Sequence, residues 1–375
     1  MKKHGCKTLL IVLAAMLCLF SAGGAIFAKM FSPPIGDAVM ANPVGDAAMA
    51  DVPVAADTEV TVGLADTVEV VEAGIEVEAE DPAAEPATDP AAKPAVDIKS
   101  TPSTVPVLTC RYFNEREFLK SVNGSVIPAQ TMASESGNTP KGPVKGGIVP
   151  HHLLAGKMIS AFFRDLAKDP PGTIILIAPN HNLIGDSEVH TSTADWATTF
   201  GTLEADRELA AVLIDKLKAS ENNTLMEDEH SISALIPYIK YYIPDAKIVP
   251  VLLHGNYTQR DSKELGGLLA EIISDRPDAV ILASIDFSHY LDVNKADKMD
   301  EKTLAAISSW NMDEISMMSN DNLDSVPSVI TLLTAMDTVG AKGIEVKGHS
   351  NSSRITNSGY DYTTSYYTMF FRKTD

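Results

Sequence analysis

From about residue 107 to the C-terminus, short apolar runs rich in β-branched residues alternate with segments whose apolar positions recur at helical spacing. The apolar runs are KGGIVP, TIILIAPN, AKIVPVLLHG, DAVILASIDFSH and TTSYYTMFFR. The helical segments include LLAGKMISAFFRDLAK, LEADRELAAVLIDKLKAS, DSKELGGLLAEIISD and VPSVITLLTAMDTVG. Continuous apolar strands that alternate with amphipathic helices indicate a mainly parallel sheet covered on both faces. We therefore predict one three-layer αβα domain, of class α/β, over residues 107–375.

Polar side chains follow these apolar runs where the strands should end. His151 and His181 follow the first two runs, and His254, Asp286 and His289 follow later ones. In parallel sheets the functional crevice lies at the carboxyl ends of the strands, so these side chains should gather at one edge. Imidazoles and carboxylates grouped in this way predict a metal or acid/base site. One crossover helix joins the first two strands, which should therefore lie adjacent or nearly so and let His151 and His181 reach one ion.

The surrounding sequence also predicts the orientation of His152 and a contact between Asp286 and His289. His152 should point away from His151, because side chains alternate along an extended strand. The i, i+3 spacing of Asp286 and His289 lets the carboxylate orient the imidazole once the chain leaves the sheet.

The N-terminal hundred residues have a different composition. Residues 1–30 place three lysines before about twenty mostly apolar positions, as in a signal peptide or a membrane anchor, so we predict export, with the N-terminal segment as the only membrane contact. Residues 31–106 are dominated by Ala, Val, Pro, Asp and Glu, as expected of a disordered acidic spacer. The mature product would be extracytoplasmic, either secreted or held at the cytoplasmic membrane.

Charge and cysteine content exclude several classes of protein. The formal net charge is −20 and comes mostly from the spacer. No basic patch offsets this charge, which argues against nucleic acid as a partner. Of the three cysteines, Cys6 and Cys18 lie in the leader and only Cys110 lies in the predicted domain. An internal disulfide and a cysteine-based zinc site are therefore not expected in the domain.

Seven segments resemble, in order and spacing, those of the Memo-like family, called AmmeMemoRadiSam system protein B in bacteria. They are GGIVPHHLLAG, IAPNHN, DWATTFGTLEAD, DEHSISALIPYIKYY, IVPVLLHGN, ASIDFSHY and GHSNSSRITNSGYDYTTSYYTMFF. The resemblance covers the domain and excludes the leader and the spacer. It implies a fold similar to the LigB-class extradiol dioxygenases.

The resemblance also implies a site. His151 and His181 match the family's metal histidines, and Asp324 is the nearest residue able to ligate where relatives often have a cysteine. The implied catalytic residues are Asp286 and His289 of DFSH together with Glu229 and His230 of EHS. Many relatives have a glutamate where this chain has Ser233.

Two histidines and one carboxylate form the facial arrangement that leaves open positions on iron(II), the favoured ion, with zinc and copper as alternatives. The implied function is metal binding with dioxygenase-like oxidoreductase chemistry on a small molecule of unknown identity. AMMECR1-like and radical SAM proteins are the implied partners.

Three other functions stay open at this stage. A zinc-dependent hydrolase could use the same imidazole and carboxylate ligands. A non-catalytic surface protein could bind a metal or ligand on the same fold, which the serine at position 233 favours. A serine hydrolase could use IGDSEVH, Ile184 to His190, although the chain has no G-x-S-x-G elbow.

Overall fold

The computed structural model describes residues 105–123, 141–359 and 362–374. All of them fall within the unit Pro94–Asp375. The predicted leader and almost all of the predicted spacer lie outside the described residues, so both remain predictions. Within the described ranges, the structure contains no helix that is both long and apolar enough to cross a bilayer.

One large sheet forms the centre of the described structure. It has eight strands, and their order from edge to edge is β10 (Gly343–Asn351), β11 (Ser365–Arg372), β2 (Val144–Val149), β9 (Ala279–Ser284), β3 (Thr173–Pro179), β8 (Lys247–Leu253), β4 (Val189–Thr191) and β7 (Ser220–Glu221). Strands β2, β9, β3 and β8 are mutually parallel. Strand β11 runs antiparallel to β2, and β4 runs antiparallel to β8. The centre of the sheet is therefore parallel, and antiparallel pairs flank it.

A small second sheet, eleven α-helices and the 3₁₀ helix Leu153–Ala155 complete the described structure. The small sheet contains β1 (Val107–Thr109), β5 (Asp195–Thr198) and β6 (Gly201–Leu203). In chain order the helices are α1 (Glu115–Asn123), α2 (Gly156–Leu166), α3 (Arg207–Leu217), α4 (Asn223–Asp228), α5 (His230–Ser233), α6 (Ile236–Tyr242), α7 (Gln259–Asp275), α8 (Val293–Ser308), α9 (Met312–Ile315), α10 (Val326–Thr338) and α11 (Ser352–Thr356).

Helices cover both faces of the central sheet, and successive strand residues point to opposite sides. In β3, Ile175 and Ile177 pack in one apolar core with residues of α7 and α10. Ile174 and Leu176 of the same strand pack in a second core with residues of α1, α2 and α6. Both faces are thus buried, which explains why the central strands are apolar without alternation. The prediction of a three-layer α/β domain with a mainly parallel sheet is confirmed.

The two glycines of strand β2 allow close packing on opposite faces of the sheet. A Cβ atom on Gly146 would lie 2.6 Å from the sulfur of Met336 in α10. A Cβ atom on Gly147 would lie 2.7 Å from a ring carbon of Phe162 in α2. Helices from both outer layers therefore pack directly against the backbone of this strand, next to the point where it delivers His151.

The order of the strands decides how the polar side chains meet. The strands that end near His151 and His181 are β2 and β3, and β9 lies between them. The expectation that they would be adjacent or nearly so holds in its weaker form, with one strand between them. Asp286 follows β9 after one residue, and its Oδ2 atom lies 3.7 Å from Nε2 of His151.

Candidate metal centre

His151 begins the loop after β2 and is almost completely buried. Its Nδ1 atom lies 3.0 Å from the hydroxyl oxygen of Ser284, at the end of β9. That hydroxyl donates its own hydrogen to the carbonyl oxygen of Ser231 at 2.7 Å. Ser284 can therefore only accept from His151, so Nδ1 carries the proton and the Nε2 lone pair is free. The free Nε2 lies 3.3 Å from Oδ2 of Asp324 and 3.7 Å from Oδ2 of Asp286.

His181 follows β3 and is oriented by Glu229, whose side chain is completely buried. The backbone N–H of His181 donates to Oε2 of Glu229 at 2.9 Å, and Nδ1 lies 2.8 Å from Oε1. This arrangement directs Nε2 of His181 towards Asp324, whose Oδ2 is 3.7 Å away. A carboxylate that holds the distal nitrogen of an imidazole is the usual support of a metal-binding histidine.

His230, the first residue of α5, lies against both of these histidines. Its ring stacks on that of His181 with centroids 4.3 Å apart, and it meets the ring of His151 edge-on at 5.0 Å. Its Nδ1 atom lies 3.2 Å from Oε1 of Glu229. One ring nitrogen from each of the three histidines falls within a span of 4.8 Å.

Asp286 and Asp324 bring two buried carboxylates to the same place. Oδ1 of Asp286 accepts the backbone N–H of His151 at 3.1 Å, and Oδ2 of Asp324 accepts the backbone N–H of Asp286 at 3.1 Å. The backbone N–H of Asp324 in turn donates to the carbonyl of Asp286. Oδ1 of Asp324 is buried and has no hydrogen-bond partner. His151, Asp286 and Asp324 form a second set of ligand atoms within 4.8 Å of one another.

The ionisation of these groups follows from their burial and their neighbours. Burial, together with the nearby imidazoles of His181 and His230, holds the pKa of His151 well below its ordinary value. Burial opposes protonation of His181 as well, but the carboxylates of Asp324 and Glu229 outweigh it and raise the pKa of His181 to about 10. Burial and the charge of Asp324 raise the pKa of Asp286 well above its usual range.

His289 lies near this cluster but does not make the predicted contact with Asp286. The Nδ1 atom of His289 is buried and has no hydrogen-bond partner, and the Asp286 carboxylate accepts from the backbone N–H of His151 instead. The backbone N–H of His289 donates to the carbonyl of Asn320, which holds this residue in another direction. Burial lowers the pKa of His289.

His152 takes a separate course, as the alternation of strand side chains predicts. Its Nδ1 atom lies 2.5 Å from the hydroxyl of Tyr366, which is completely buried. Burial lowers the pKa of His152 to about 4. This residue supports the wall of the site and is not grouped with the ligand atoms around His151.

The structure therefore brings together six of the seven residues singled out from the sequence and places His289 beside them. Sequence reasoning missed Ser284 and Tyr366, which set the orientations of His151 and His152. The available signal for Ser284 was a hydroxyl residue at the end of the otherwise apolar run AVILAS. Ser233, the departure from many relatives, is completely buried, and its hydroxyl has no hydrogen-bond partner.

The described residues of the segment IGDSEVH do not form the hydrogen-bonded Ser-His-Asp arrangement of a serine hydrolase. Neither ring nitrogen of His190 has a hydrogen-bond partner, and the ring is completely buried. The hydroxyl of Ser187 instead accepts the backbone N–H of Val189 at 3.3 Å. Asp186 lies 3.5 Å from His190, but its side chain is mostly exposed.

A three-layer α/β fold with a buried cluster of histidines and aspartates at the carboxyl edge of its sheet defines the class of this protein. Imidazole and carboxylate groups at these separations are suited to a divalent metal ion. The sequence model of the Memo-like protein family matches residues 122–370. The chain belongs to that family.

Curated relatives carry the same family name. A MEMO1 family protein from Pyrobaculum aerophilum is 29% identical over 61% of this chain and 84% of its own length. One from Caldivirga maquilingensis is 30% identical over 57% of this chain and 77% of its own length. Among solved structures, the uncharacterized protein JW3007 from Escherichia coli K12 covers 61% of this chain and 99% of its own chain, with 13% identity and a TM-score of 0.43. A likeness of that extent carries no argument about function.

Proposed function

We propose that this protein binds one divalent metal ion through His151, His181 and Asp324, and that it is a non-haem-iron-type oxidoreductase acting on a small molecule. Iron(II) is the favoured ion, because two imidazoles and one carboxylate suit it and leave coordination positions open. The main support for this proposal is that the Nε2 atoms of His151 and His181 lie 3.3 and 3.7 Å from Oδ2 of Asp324.

Three features of the cluster fit a metal ion. Ser284 holds His151 in the tautomer that leaves Nε2 free, and Glu229 accepts the Nδ1 proton of His181 and so directs its Nε2 towards Asp324. Oδ1 of Asp324 is buried without a partner, which is costly unless another group binds it. A bound iron(II) ion would supply Lewis acidity and room for a small oxygen-bearing substrate and dioxygen.

The surrounding residues have the properties needed to move protons near such an ion. His289 is kept neutral by burial and has an unpartnered Nδ1 atom, so it can accept a proton from a substrate. Burial and the charge of Asp324 raise the pKa of Asp286, which favours this residue as the proton donor. Glu229 orients His181, and His230 packs against it and closes one side of the cluster.

Metal analysis of alanine variants tests the proposed ligands. After anaerobic loading with iron(II), His151→Ala and His181→Ala should each reduce bound iron well below the parent level, and Asp324→Ala should weaken its binding. His254→Ala is the matched control, because His254 also follows a strand but binds the backbone N–H of Asn256 through Nδ1. Full iron occupancy in either His151→Ala or His181→Ala would contradict the site.

Dioxygen uptake tests the chemistry. The iron-loaded parent should consume dioxygen with at least one member of a panel of small aromatic diols, and His289→Ala should retain its iron while losing that activity. Loss of iron in His289→Ala would make this residue a ligand. Iron retention by the parent without uptake for any substrate would support a non-catalytic binding protein.

The biological setting is part of the same proposal. By family resemblance we propose a functional association with AMMECR1-like and radical SAM proteins. The composition of residues 1–30 supports a location outside the cytoplasm, reached or kept through this segment. A reporter fused to the C-terminus should be active only beyond the cytoplasmic membrane, and cytoplasmic activity would overturn the location.

A further inference from the structure

Helix α8 and strand β10 together carry a second group of metal-ligating side chains. Asp297 and Asp300 are three residues apart in α8 and therefore share one face of the helix. His349 of β10 reaches the same face, and its Nε2 atom lies 2.8 Å from Oδ2 of Asp300. One ligand atom from each of the three residues lies within 4.8 Å of the others. None of them belongs to the cluster around His151.

Asp300 and His349 are buried and Asp297 is partly exposed, and the hydrogen bonds of the group leave one acceptor without a donor. Asp300 is completely buried, and its Oδ1 accepts the hydroxyl of Ser288 at 2.7 Å. Oδ2 of Asp297 pairs with the guanidinium of Arg354 at 2.5 Å. The other oxygen of Asp297, Oδ1, is buried and has no partner. Arg354 thus positions this carboxylate and leaves one oxygen free.

A second unpartnered polar atom belongs to a residue that packs against this group. Tyr367 of β11 lies directly opposite His349 in the sheet, and the two rings stack with centroids 4.1 Å apart and planes 12° apart. Its side chain is completely buried, yet its hydroxyl has no hydrogen-bond partner. Burial and the nearby carboxylates of Asp300, Asp297 and Glu301 raise the pKa of this phenol. A buried hydroxyl without a partner is costly, which indicates that another group belongs beside it.

We propose that Asp297, Asp300 and His349 bind a second divalent cation, through Oδ1, Oδ2 and Nε2 respectively. Ligands about 2.1 Å from a tetrahedral zinc ion lie about 3.4 Å apart, so the 2.8 Å separation of His349 Nε2 and Asp300 Oδ2 would widen by about 0.6 Å when the ion replaces their hydrogen bond. Two carboxylates balance the charge of the ion, and the nitrogen and oxygen ligands suit zinc. The ring of Tyr367 packs against the imidazole of this site.

This ion would be structural. Asp300 and His349 are buried and Asp297 is partly exposed, and together the three ligands join helix α8 to strand β10. Asp300 also holds Ser288, the residue before His289, so the ion would stiffen the segment that carries this histidine. The inference does not depend on the proposed function, because the two groups share no residue.

Zinc stoichiometry of the full chain, measured by equilibrium dialysis and elemental analysis, tests this site. The parent should bind two zinc ions, and a His151→Ala, His181→Ala double variant should bind one. In that double variant, adding Asp297→Asn or His349→Ala should weaken the remaining site at least tenfold. Glu301→Gln is the matched control on the same helix, because Glu301 is an exposed carboxylate outside the ligand group, and it should leave that ion in place.

The outcomes separate this site from the first. A folded double variant that binds no zinc would overturn the proposal, as would retention of the remaining ion in both added variants. Asp297 is partly exposed, so Asp297→Asn should fold even if His349→Ala does not, and circular dichroism monitors both. If only the first site is wrong, the parent should bind a single zinc ion. The Asp297→Asn variant should then lose this ion, and the His151→Ala, His181→Ala double variant should keep it.

Discussion

Replacing Glu229 with glutamine tests whether a buried carboxylate prepares His181 to bind a metal ion. Both oxygens of Glu229 accept hydrogen bonds from His181, one from the backbone N–H at 2.9 Å and one from Nδ1 at 2.8 Å. Glutamine has one acceptor oxygen and one NH2 group. In either orientation its NH2 group would face an N–H donor of His181, and the imidazole would lose its fixed direction.

The size of the effect follows from the charge and the burial. Hydrogen bonds to a charged group contribute about 1.5–3 kcal/mol each, and Glu229 is completely buried, so water cannot replace them. Loss of the residue that supports a metal-binding histidine weakens metal binding by about 10- to 100-fold. That range corresponds to about 1.4–2.7 kcal/mol of binding free energy. Because Glu229 also raises the pKa of His181, the dissociation constants are compared after correction for protonation of His181 with a pH series. We therefore expect the corrected dissociation constant for the ion to rise by about 10- to 100-fold in Glu229→Gln.

Competition with a chromophoric chelator measures this constant, with zinc as a redox-inactive probe and iron(II) in an anaerobic repeat. Glu227→Gln is the matched control, because Glu227 lies two residues away and binds Thr109 and Arg111 rather than His181. It should bind metal as the parent does. Parental affinity in Glu229→Gln would refute the reasoning, and an equal loss in both variants would mean that the local fold, and not the orientation of His181, had changed.

Three further predictions concern the same site and its supporting strand. Ser284→Ala removes the acceptor for His151 Nδ1 and should weaken metal binding about tenfold in the same competition assay. An unchanged affinity would disprove the assigned tautomer of His151. Metal affinity should rise by about tenfold per pH unit between pH 6.5 and 8.5, because His181, with its pKa raised to about 10, must lose a proton to bind the ion. An affinity that does not change with pH in chelator competition would contradict this prediction. Gly147→Ala should lower the free energy of unfolding by about 1–3 kcal/mol, because the new Cβ atom would lie 2.7 Å from a buried aromatic carbon. Gly267→Ala, in open space on helix α7, should raise the free energy of unfolding by about 0.5–1 kcal/mol. Denaturant unfolding compares the two variants with the parent.

Local sequence patterns were enough to predict the layers of the fold and the ends of the main strands. The run TIILIAP forms β3, and its alternate residues enter the two apolar cores, as continuous apolar strands between helices require. The small sheet, the short strands β4 and β7 and the edge strand β10 were not predicted. The short strands contain two to four residues each, too few for a periodic pattern to identify. Strand β10 has nine residues, but its sequence GIEVKGHSN is not a continuous apolar run.

The positions of His151 and His181 could be predicted because each follows an apolar run, and a strand's carboxyl end is where the chain leaves the sheet. Their partners could not be predicted in the same way. Ser284 is 133 residues from His151, and Glu229 is 48 residues from His181. The periodicity of a segment reports which of its faces are buried and says nothing about which distant segment covers them.

By itself, the sequence determined a parallel α/β domain with histidines at the ends of two strands. Only the tertiary structure decided that β9 lies between those strands and that Asp324 lies within 4 Å of both imidazoles. It also decided that Asp286 contacts the backbone of His151 rather than His289. The physical reason is that strand order depends on the packing of crossover helices over the whole sheet, and no local pattern encodes that packing.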